Sequence, residues 1–562
     1  MLSPEGANDV QEGPGGHGDR DFDWVVIGSG FGGSVSALRL AEKGYSVLVI
    51  EQGRRWQDRD FARSAWQVWK AQWAPRFGMR GIMRISQFGH VNVLSGVGVG
   101  GGSLTWANTS YRPESDDFYR HPQWADLADW REELAPHYET ACRMLGVVEP
   151  EFDGPSERLL RELADDLGVP GTYRTTPVAV FTGQPGVEVE DPYFGGEGPR
   201  RTGCIKCGQC VLGCRYGAKN TLVKNYLWLA ERRGVQVAAQ RQVVDLRPLD
   251  EEGATGWEVD LVPTPPSRDR EVRTVTAGGV ILAGGTIGTN ELLLRCRERG
   301  GLGRLSSRLG QLVRTNSEAI TAATSDRPDA DYTSDVTITA SIFPDDQTHI
   351  TNNTYGNAGD ANSALFTLLT GDGSRLTRPL RLLGNLLRHP VRALKSLNPF
   401  GWSRRTVIFT TMQTVEHSVS LVLREKKPFG SGTVLDTASP EGDTASSFLP
   451  VANRVAALAA RRMGGYAQST LPDVLRAVPS TAHFLGGCVI GGSPETGVVD
   501  RDQRVFGYEN LLIIDGSVVP ANPGVNPSLT ITALAERAMS RIPGASSPAD
   551  LTGALERADW AD

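Results

Sequence analysis

The feature that most constrains the fold is a glycine motif near the start of the chain, where residues 25–33 read VVIGSGFGG. A β-branched run leads directly into Gly-x-Gly-x-x-Gly, and a helical pattern follows over residues 34–43. In a dinucleotide-binding βαβ unit, Gly28 allows the tight turn, Gly30 lets the backbone approach a pyrophosphate, and Gly33 lets helix and strand pack closely. The helix N-terminus adds amide donors and a positive dipole for the phosphates.

A carboxylate completes this unit. A second strand pattern covers residues 46–50 and ends at Glu51, 18 residues after Gly33. An acid in this position accepts hydrogen bonds from ribose hydroxyls. Strand, helix and acid together predict a dinucleotide site.

Glycine-rich elements recur along the chain, at residues 96–103 (followed by Asn108), 279–286 (before a helical pattern over 289–297), 511–516 and 524–532 (before a helical pattern over 533–542). Closely spaced glycines let the backbone pass near a flat or phosphorylated ligand, although a flexible loop is the alternative at 96–103. Nicotinamide enzymes usually keep their binding elements in one block. A set spread over most of the chain favours an extended flavin dinucleotide.

The composition of the chain argues against some classes of function. The 562 residues are 40% hydrophobic and 22% charged, and the net charge of -7 argues against general nucleic-acid binding. No apolar run approaches the roughly 18 residues that a transmembrane helix needs. Residues 1–20 are Gly-rich and polar, which predicts a disordered leader rather than a signal peptide, and a cytoplasmic protein.

The glycine elements resemble those of the glucose–methanol–choline (GMC) oxidoreductases. Within that family, residues 481–487 (TAHFLGG), 524–527 (GVNP) and 533–537 (ALAER) resemble its cholesterol oxidase branch. The resemblance implies an α/β fold with a discontinuous Rossmann-like FAD-binding domain and a substrate domain built on a large antiparallel sheet. It assigns residues 21–116, 201–316 and 478–545 to the first domain, 117–200 and 317–477 to the second, and 546–562 to a tail.

The motifs and the resemblance together predict the FAD contacts, which include Val243 as the adenine contact. The FAD is expected to be noncovalent, because residues 96–108 contain no His, the residue that carries the ring in covalent family members. The predicted contacts are Gly28, Gly30, Phe31, Gly32, Gly33, Glu51, Gly96, Gly101, Gly102, Ser103, Asn108, Val243, Gly285, Asp515, Gly516, Asn526, Pro527 and Ser528.

Three side chains are candidates for catalysis. Alcohol oxidation by hydride transfer needs a group that takes or stabilises the hydroxyl proton. The resemblance implies that His483 and Asn526 lie side by side over the flavin and hydrogen-bond the substrate oxygen, whereas a lone His is more often a satisfied core residue. It also implies that Glu416, before a Val-Ser-Leu strand, moves a proton in double-bond isomerisation. A raised pKa in an apolar pocket would suit that role, and a solvated acid at a strand entry is the alternative.

Four clustered cysteines are compatible with three kinds of structure. Cys204, Cys207, Cys210 and Cys214 follow the Cys-x2-Cys-x2-Cys-x3-Cys spacing of bacterial ferredoxins, but Arg215 replaces the Pro that usually follows. A structural loop of reduced thiols or local disulfides is preferred, because the following Gly-Ala-Lys-Asn-Thr recurs in family members that use FAD alone. An iron–sulfur cluster and structural zinc are the other two readings. The remaining three cysteines (Cys142, Cys296 and Cys488) are predicted to be core residues.

Two segments are candidates for controlling access. Residues 61–85 combine three Trp with Phe and Met, which suggests a lid or else an ordinary amphipathic helix. Residues 375–405 contain eight basic and no acidic side chains with leucines between them. This pattern predicts peripheral contact with a membrane surface, the alternative being a solvated helical insertion.

These observations predict an FAD-dependent enzyme that oxidises a bulky secondary alcohol, such as a 3-hydroxysteroid, to a ketone. Molecular oxygen or another acceptor would reoxidise the flavin, and double-bond isomerisation could follow. The alternative is a redox-neutral enone isomerase of the same fold. A noncatalytic flavin carrier is disfavoured, since His483, Asn526 and Glu416 would then have no role.

Overall fold

The computed structural model describes residues 20–267, 271–426, 432–439 and 448–546. The predicted leader and tail therefore lie almost entirely outside the described residues. In the described part the chain builds two seven-stranded sheets, with helices on their outer faces and the candidate site between them.

The first sheet, called the cofactor sheet, draws its strands from distant parts of the chain. Its core is parallel: Val26 pairs with Val49 on one side and with Ile281 on the other, and Val280 pairs with Leu511. The parallel strands Phe22–Ile27, Val47–Glu51 and Leu511–Ile513 are almost fully buried apolar runs, whereas buried and partly exposed residues alternate along the antiparallel Trp257–Pro263. The strands are Phe22–Ile27, Val47–Glu51, Gln236–Ala239, Arg241–Pro248, Trp257–Pro263, Arg273–Leu282 and Leu511–Ile513.

Helices position the ends of these strands. Phe31–Glu42, the motif helix, packs against Ser528–Ser540, the final helix, and Arg39 pairs with Glu536 at 2.8 Å between them. Gly285–Glu298 follows the central strand. Trp130–Leu145 packs on the final helix, and Tyr226–Glu231 packs on the motif helix.

The second sheet, called the substrate sheet, is antiparallel throughout. Helices Pro155–Leu167 and Pro450–Arg462 bury one face through a cluster that includes Leu160, Phe409 and Val455. In spatial order its strands are Phe366–Leu368, Gly465–Thr470, Ala319–Ser325, Thr406–Gln413, Thr348–Asn353, Ile338–Asp345 and Arg174–Thr175. The predicted mixed α/β fold with a large antiparallel sheet is confirmed.

Shorter elements complete the described structure. Small antiparallel ribbons pair Trp73–Ala74 with Met79–Arg80, Met83–Gln87 with Asn92–Gly96, Glu188–Val189 with Arg201–Thr202, Gln311–Arg314 with Leu485–Gly487, and Ser420–Glu425 with Thr433–Ala438. Ser480–Thr481 pairs in parallel with the strand Asn92–Gly96. The remaining helices are Val68–Ala71, Asp116–Tyr119, Thr377–Arg388, Pro390–Ser396, Trp402–Arg405 and Leu471–Arg476. Among the described residues, no helix is both long enough and apolar enough to cross a bilayer.

Candidate active site

A cavity of about 700 Å³ lies between the two sheets. Most of the predicted cofactor residues line it, at the carboxyl ends of the parallel strands where ligands of such sheets bind. Those that line it are Gly28, Gly30, Phe31, Gly32, Glu51, Gly96, Gly101, Gly102, Val243, Gly285, Asp515, Gly516, Asn526, Pro527 and Ser528. Gly33, Ser103 and Asn108 pack behind this lining.

The glycine motif forms a cradle that larger residues would fill. A Cβ on Gly28 would collide with the carbonyl group of Ala283, and one on Gly33 would collide with the carbonyl oxygen of Gly28. Gly28 has a φ of 106°, which L side chains rarely adopt. A Cβ on Gly30 would meet no described atom within 4 Å, so this glycine leaves open space at the start of the motif helix. That space suits a pyrophosphate facing the helix N-terminus.

Glu51 organises the turn beside this cradle. Its carboxylate accepts hydrogen bonds from the backbone and hydroxyl of Ser29 (3.2 and 2.7 Å) and from the backbone of Gly53 (2.8 Å). Burial raises the pKa of Glu51, although these donors favour its charged form. The predicted ribose ligand therefore also locks the glycine turn in place.

Asp515 joins two further glycine elements. Its carboxylate accepts hydrogen bonds from the backbone N–H of Gly285 (2.8 Å), the hydroxyl of Thr289 (2.5 Å) and the backbone N–H of Ser517 (2.8 Å). Burial raises the pKa of Asp515. The carboxylate thus fixes the ends of two neighbouring strands of the cofactor sheet against the cavity.

The loop over residues 96–103 is ordered by close backbone packing. A Cβ on Gly101 would lie 2.6 Å from the Cα of Gly30. The Ser103 hydroxyl donates to the carbonyl of Gly100 (2.6 Å) and accepts from the backbone N–H of Leu222 (3.1 Å). Ser103 therefore holds the shape of the loop from behind the cavity lining.

At the other end of the cavity, His483 and Asn526 are in direct contact. Asn526 Nδ2 lies 2.9 Å from His483 Nε2, and both residues line the cavity. Nδ1 of His483 hydrogen-bonds the Glu318 carboxylate, whose other oxygen accepts from the backbone N–H of Ala482 at 3.0 Å. Because Nδ1–H donates to a carboxylate, Nε2 is the basic nitrogen that faces the cavity.

Glu318 is a site residue that the sequence analysis missed. Its side chain is 1% exposed, and it immediately precedes the substrate-sheet strand Ala319–Ser325. No sequence motif marks it, although an acid among small residues at the start of a buried strand was an available signal. The cavity around it combines apolar side chains with side chains that carry a hydrogen-bonding group: Ile320, Ile338 and Phe484, and Asn353, Tyr355 and Thr410.

Glu416 lies elsewhere, which corrects the expectation of a carboxylate with a raised pKa in the substrate pocket. It lines a separate cavity, where its oxygens pair with His121 Nε2 at 3.0 Å and with Arg314 at 3.1 Å. Its side chain is 54% exposed. Partial burial favours a higher pKa, but the hydrogen bond from His121 and the charge of Arg314 outweigh it and lower the pKa of Glu416 to about 2. Glu416 is therefore a stable anion at neutral pH.

The cysteine segment and the predicted lid each contribute one residue to the main cavity, Val211 and Arg84, while the four clustered cysteines line a separate small cavity. All seven cysteines are described and free, so the structure contains none of the local disulfides considered from the sequence. Over residues 61–85, Arg84 contributes to the cofactor cavity, whereas Trp66, Trp69 and Phe77 are exposed to solvent.

The cavity fits FAD from end to end. Its lining extends from Glu51 and Val243, on strands of the cofactor sheet, past the open space at Gly30, to His483 and Asn526 beside the substrate sheet. The buried Oδ1 of Asn526 has no hydrogen-bond partner among the described residues. An acceptor left unpaired at the lining of a cavity points to a bound group that would satisfy it.

Comparison with known proteins identifies the family. The pattern of the FAD dependent oxidoreductases matches residues 23–368, and that of the GMC oxidoreductases matches residues 440–535. The cholesterol oxidase of Mycobacterium tuberculosis is 46% identical over 534 residues, covering 93% of this chain and 91% of the relative. That of Acinetobacter baumannii is 42% identical over 529 residues, covering 93% and 94%. The chain belongs to the GMC oxidoreductases.

The fold of this GMC oxidoreductase is shared with solved structures. Pyridoxine 4-oxidase from Mesorbium loti superposes with a TM-score of 0.58 at 15% identity, covering 92% of this chain and 98% of that one. The predictions of family, enzyme class and FAD as the cofactor are confirmed. When bound, FAD would supply the redox chemistry of this GMC oxidoreductase.

Proposed function

We propose that this GMC oxidoreductase oxidises the secondary hydroxyl of a 3-hydroxysteroid, or of a similarly bulky alcohol, to a ketone. Molecular oxygen is the proposed final electron acceptor. One observation carries the proposal: His483 and Asn526 meet at 2.9 Å in the part of an FAD-sized cavity whose wall also includes the apolar side chains of Ile320, Ile338 and Phe484. The two cholesterol oxidase relatives, at 46% and 42% identity, support the choice of substrate class.

In the proposed mechanism, the imidazole takes the hydroxyl proton. His483 Nε2 faces the cavity as a base and accepts that proton as the hydride leaves the substrate carbon. The carboxylate of Glu318, hydrogen-bonded to Nδ1, fixes the tautomer and stabilises the imidazolium that forms. The substrate hydroxyl would replace the Asn526 amide at Nε2, so that Asn526 Nδ2 donates to the substrate oxygen instead, while Ile320, Ile338 and Phe484 exclude water around the steroid.

A double-bond migration after oxidation would need a group that moves a proton within the same cavity. Glu416 faces another cavity and is held as an anion by His121 and Arg314. We therefore assign any such step to the Glu318–His483 pair. The redox-neutral isomerase remains a weaker candidate, because its proposed base lies away from the FAD cavity.

Anaerobic titration tests this proposal. The yellow protein should bleach when mixed with cholesterol or another 3-hydroxysteroid and stay yellow with the matching 3-ketosteroid, and a ketone should form in proportion to the flavin reduced. A protein that is reduced equally well by short primary alcohols would contradict the proposed steroid specificity. A protein that converts an unconjugated enone while remaining yellow would favour the isomerase.

We further propose that residues 375–405 dock on an anionic lipid surface. Leu380, Leu383 and Leu387 follow one stripe of the helix Thr377–Arg388 and face solvent. Exposure is greatest nearby at Leu376 (80%) and Leu397 (77%), and Val391, Leu394 and Phe400 are also exposed. Burying such a side chain in an apolar phase is worth about 1.5–3 kcal/mol.

The basic side chains of this segment divide into two groups. Arg378 is buried, and Lys395 pairs with Asp326 at 2.8 Å, so these two already have intramolecular roles. Arg388 and Arg392 are exposed. The exposed leucines thus supply most of the proposed docking energy, with the exposed arginines adding attraction to anionic headgroups.

A further inference from the structure

Four cysteines line a second cavity that the proposed reaction does not use. Cys204, Cys207, Cys210 and Cys214 surround it together with Asn108 and Lys219. All four thiols are free and partly buried. The cavity adjoins the FAD cavity, since Trp106 and Val211 line one while Asn108 and Cys210 line the other.

The arrangement of the thiols argues against a single metal ion. Among the residues that the structure describes, no three His, Cys, Asp or Glu side chains are grouped to hold one. Structural zinc needs four ligands at about 2.0–2.3 Å from one centre. In a cubane iron–sulfur cluster, by contrast, each thiolate binds its own iron, so the sulfurs stand around a space. The Cys-x2-Cys-x2-Cys-x3-Cys spacing is the run that holds such clusters in bacterial ferredoxins.

The backbone of the segment is already folded around two of the sulfurs. The backbone N–H of Lys206 donates to Cys204 Sγ at 3.4 Å, and that of Gln209 donates to Cys207. The left-handed φ values of Lys206 (60°) and Gly208 (65°) are compatible with these turns. Hydrogen bonds to the sulfurs are among the features by which proteins tune iron–sulfur clusters.

Charge near the cavity is mostly positive, and the carboxylate in its lining, Asp335, is already paired with Lys206 at 2.7 Å. Residues 198–230 contain six basic and no acidic side chains. Lys219 is 1% exposed, and its Nζ donates to the carbonyls of Leu104 (3.0 Å), Trp106 (2.8 Å) and Cys210 (2.8 Å). A buried ammonium needs negative charge nearby. Four thiolates on a cluster would supply it.

Asn108 provides an independent observation. It is fully buried, lines this cavity, and has a φ of 68°. Neither its Nδ2 nor its Oδ1 has a hydrogen-bond partner among the described residues. An unpaired buried amide costs about 1–3 kcal/mol, so it points to a group that the side chain would contact in the cavity.

We propose that Cys204, Cys207, Cys210 and Cys214 ligate a [4Fe–4S] cluster, with Lys219 balancing its charge and Asn108 donating to one of its sulfurs. The fourth cysteine, which serves the other cluster in two-cluster ferredoxins, binds the same cluster here. Arg215 in place of the usual Pro leaves the four ligands unchanged.

The test is an iron and acid-labile sulfide analysis of the full chain purified under anaerobic conditions, with FAD counted on the same sample. We expect about four irons and four sulfides per chain, and an electron paramagnetic resonance signal after reduction with dithionite. Cys207→Ser and Cys210→Ser should each lose at least half of this iron. Cys142→Ser, at a half-buried cysteine outside the cavity, is the matched control and should retain it.

Several results of the iron and sulfide measurements would overturn the proposed cluster. FAD at about one per chain without iron or sulfide, even after reconstitution with ferrous iron and sulfide, would overturn the cluster and leave the alcohol oxidase intact. One zinc per chain would also overturn it. Iron that survives both serine substitutions would show that it binds elsewhere. If a serine variant fails to fold, Asn108→Ala should retain the iron but alter the resonance signal.

Discussion

The carboxylate of Glu318 hydrogen-bonds Nδ1 of His483, while Nε2 of the same ring meets the amide of Asn526 at 2.9 Å. The imidazole is thus fixed at both nitrogens, by a buried carboxylate on one side and by a neighbour in the cavity on the other. This geometry makes His483 the base of the proposed reaction and Glu318 its positioning residue.

Glu318→Gln tests the positioning role. The amide can still accept from Nδ1–H but carries no charge to stabilise the imidazolium, so flavin reduction should slow by on the order of 10²-fold. The KM for the steroid and the FAD content should stay close to the wild-type values, because the charge is needed in the transition state rather than in binding. A merely structural role would lower the FAD content as well. Glu318→Asp should restore part of the rate.

Glu416→Gln should leave flavin reduction and product unchanged within about twofold. Its effect should appear in acid stability instead. The pKa of Glu416 is lowered from 4.5 to about 2 in the folded protein, so its ion pairs stabilise the fold above pH 4.5, and this contribution disappears as the pH falls towards 2. The Tm difference between wild type and variant should shrink over that interval. The exposed Glu151→Gln is the control, and accumulation of an unconjugated enone in Glu416→Gln would contradict the assignment.

Sequence patterns located the dinucleotide unit because its constraints are local. A Cβ on Gly33 would collide with the carbonyl of Gly28 inside the motif itself, and the φ of 106° at Gly28 also favours glycine, although the collision there is with the distant Ala283. Helix starts were predicted less well: the motif helix begins at Phe31 rather than at residue 34, and the helix predicted over 289–297 begins at Gly285. The first turn of each helix contains glycines, which have a low helix propensity, so the sequence pattern did not predict it. Helix forms there because the packing requires small residues.

The proposed catalytic site could be predicted from the sequence only in part. His483 and Asn526 lie close in sequence to flavin motifs and were found by likeness. Glu318 precedes His483 by 165 residues and reaches it through the packing of the substrate sheet, which a linear pattern does not show. Glu416 was selected from a local Val-Ser-Leu likeness, but its partner Arg314 comes from a distant strand and determines its charge state. For both Glu318 and Glu416, the role of the carboxylate depends on a charged or polar partner far away in sequence.

Acid precipitation tests how FAD is held. Residues 96–108 contain no His for covalent attachment, and the open space at Gly30 suits reversible phosphate binding. Denaturation in trichloroacetic acid should release all of the flavin into the supernatant as FAD. Yellow colour that stays with the washed pellet would contradict noncovalent binding.

Liposome co-sedimentation tests the docking surface. Binding should rise with the anionic lipid fraction and fall with salt, since headgroup attraction is screened over about 10 Å at 0.1 M. Replacing Leu380, Leu387 and Leu394 by Gln should weaken binding at least tenfold, while turnover of a detergent-solubilised steroid stays the same. Leu249→Gln, at an exposed leucine outside the segment, is the matched control. Wild-type protein that ignores anionic liposomes at low salt would refute the surface.

The central claim is that His483 takes the proton while the substrate carbon delivers a hydride to FAD. Anaerobic stopped-flow measurement of flavin bleaching with a 3-hydroxysteroid, protiated or deuterated at C3, tests it most directly. Wild-type protein should bleach faster with the protiated steroid, and His483→Ala should slow bleaching by on the order of 10²-fold or more while retaining FAD. Bleaching at the wild-type rate in His483→Ala, or no bleaching by any 3-hydroxysteroid in the wild type, would contradict the account.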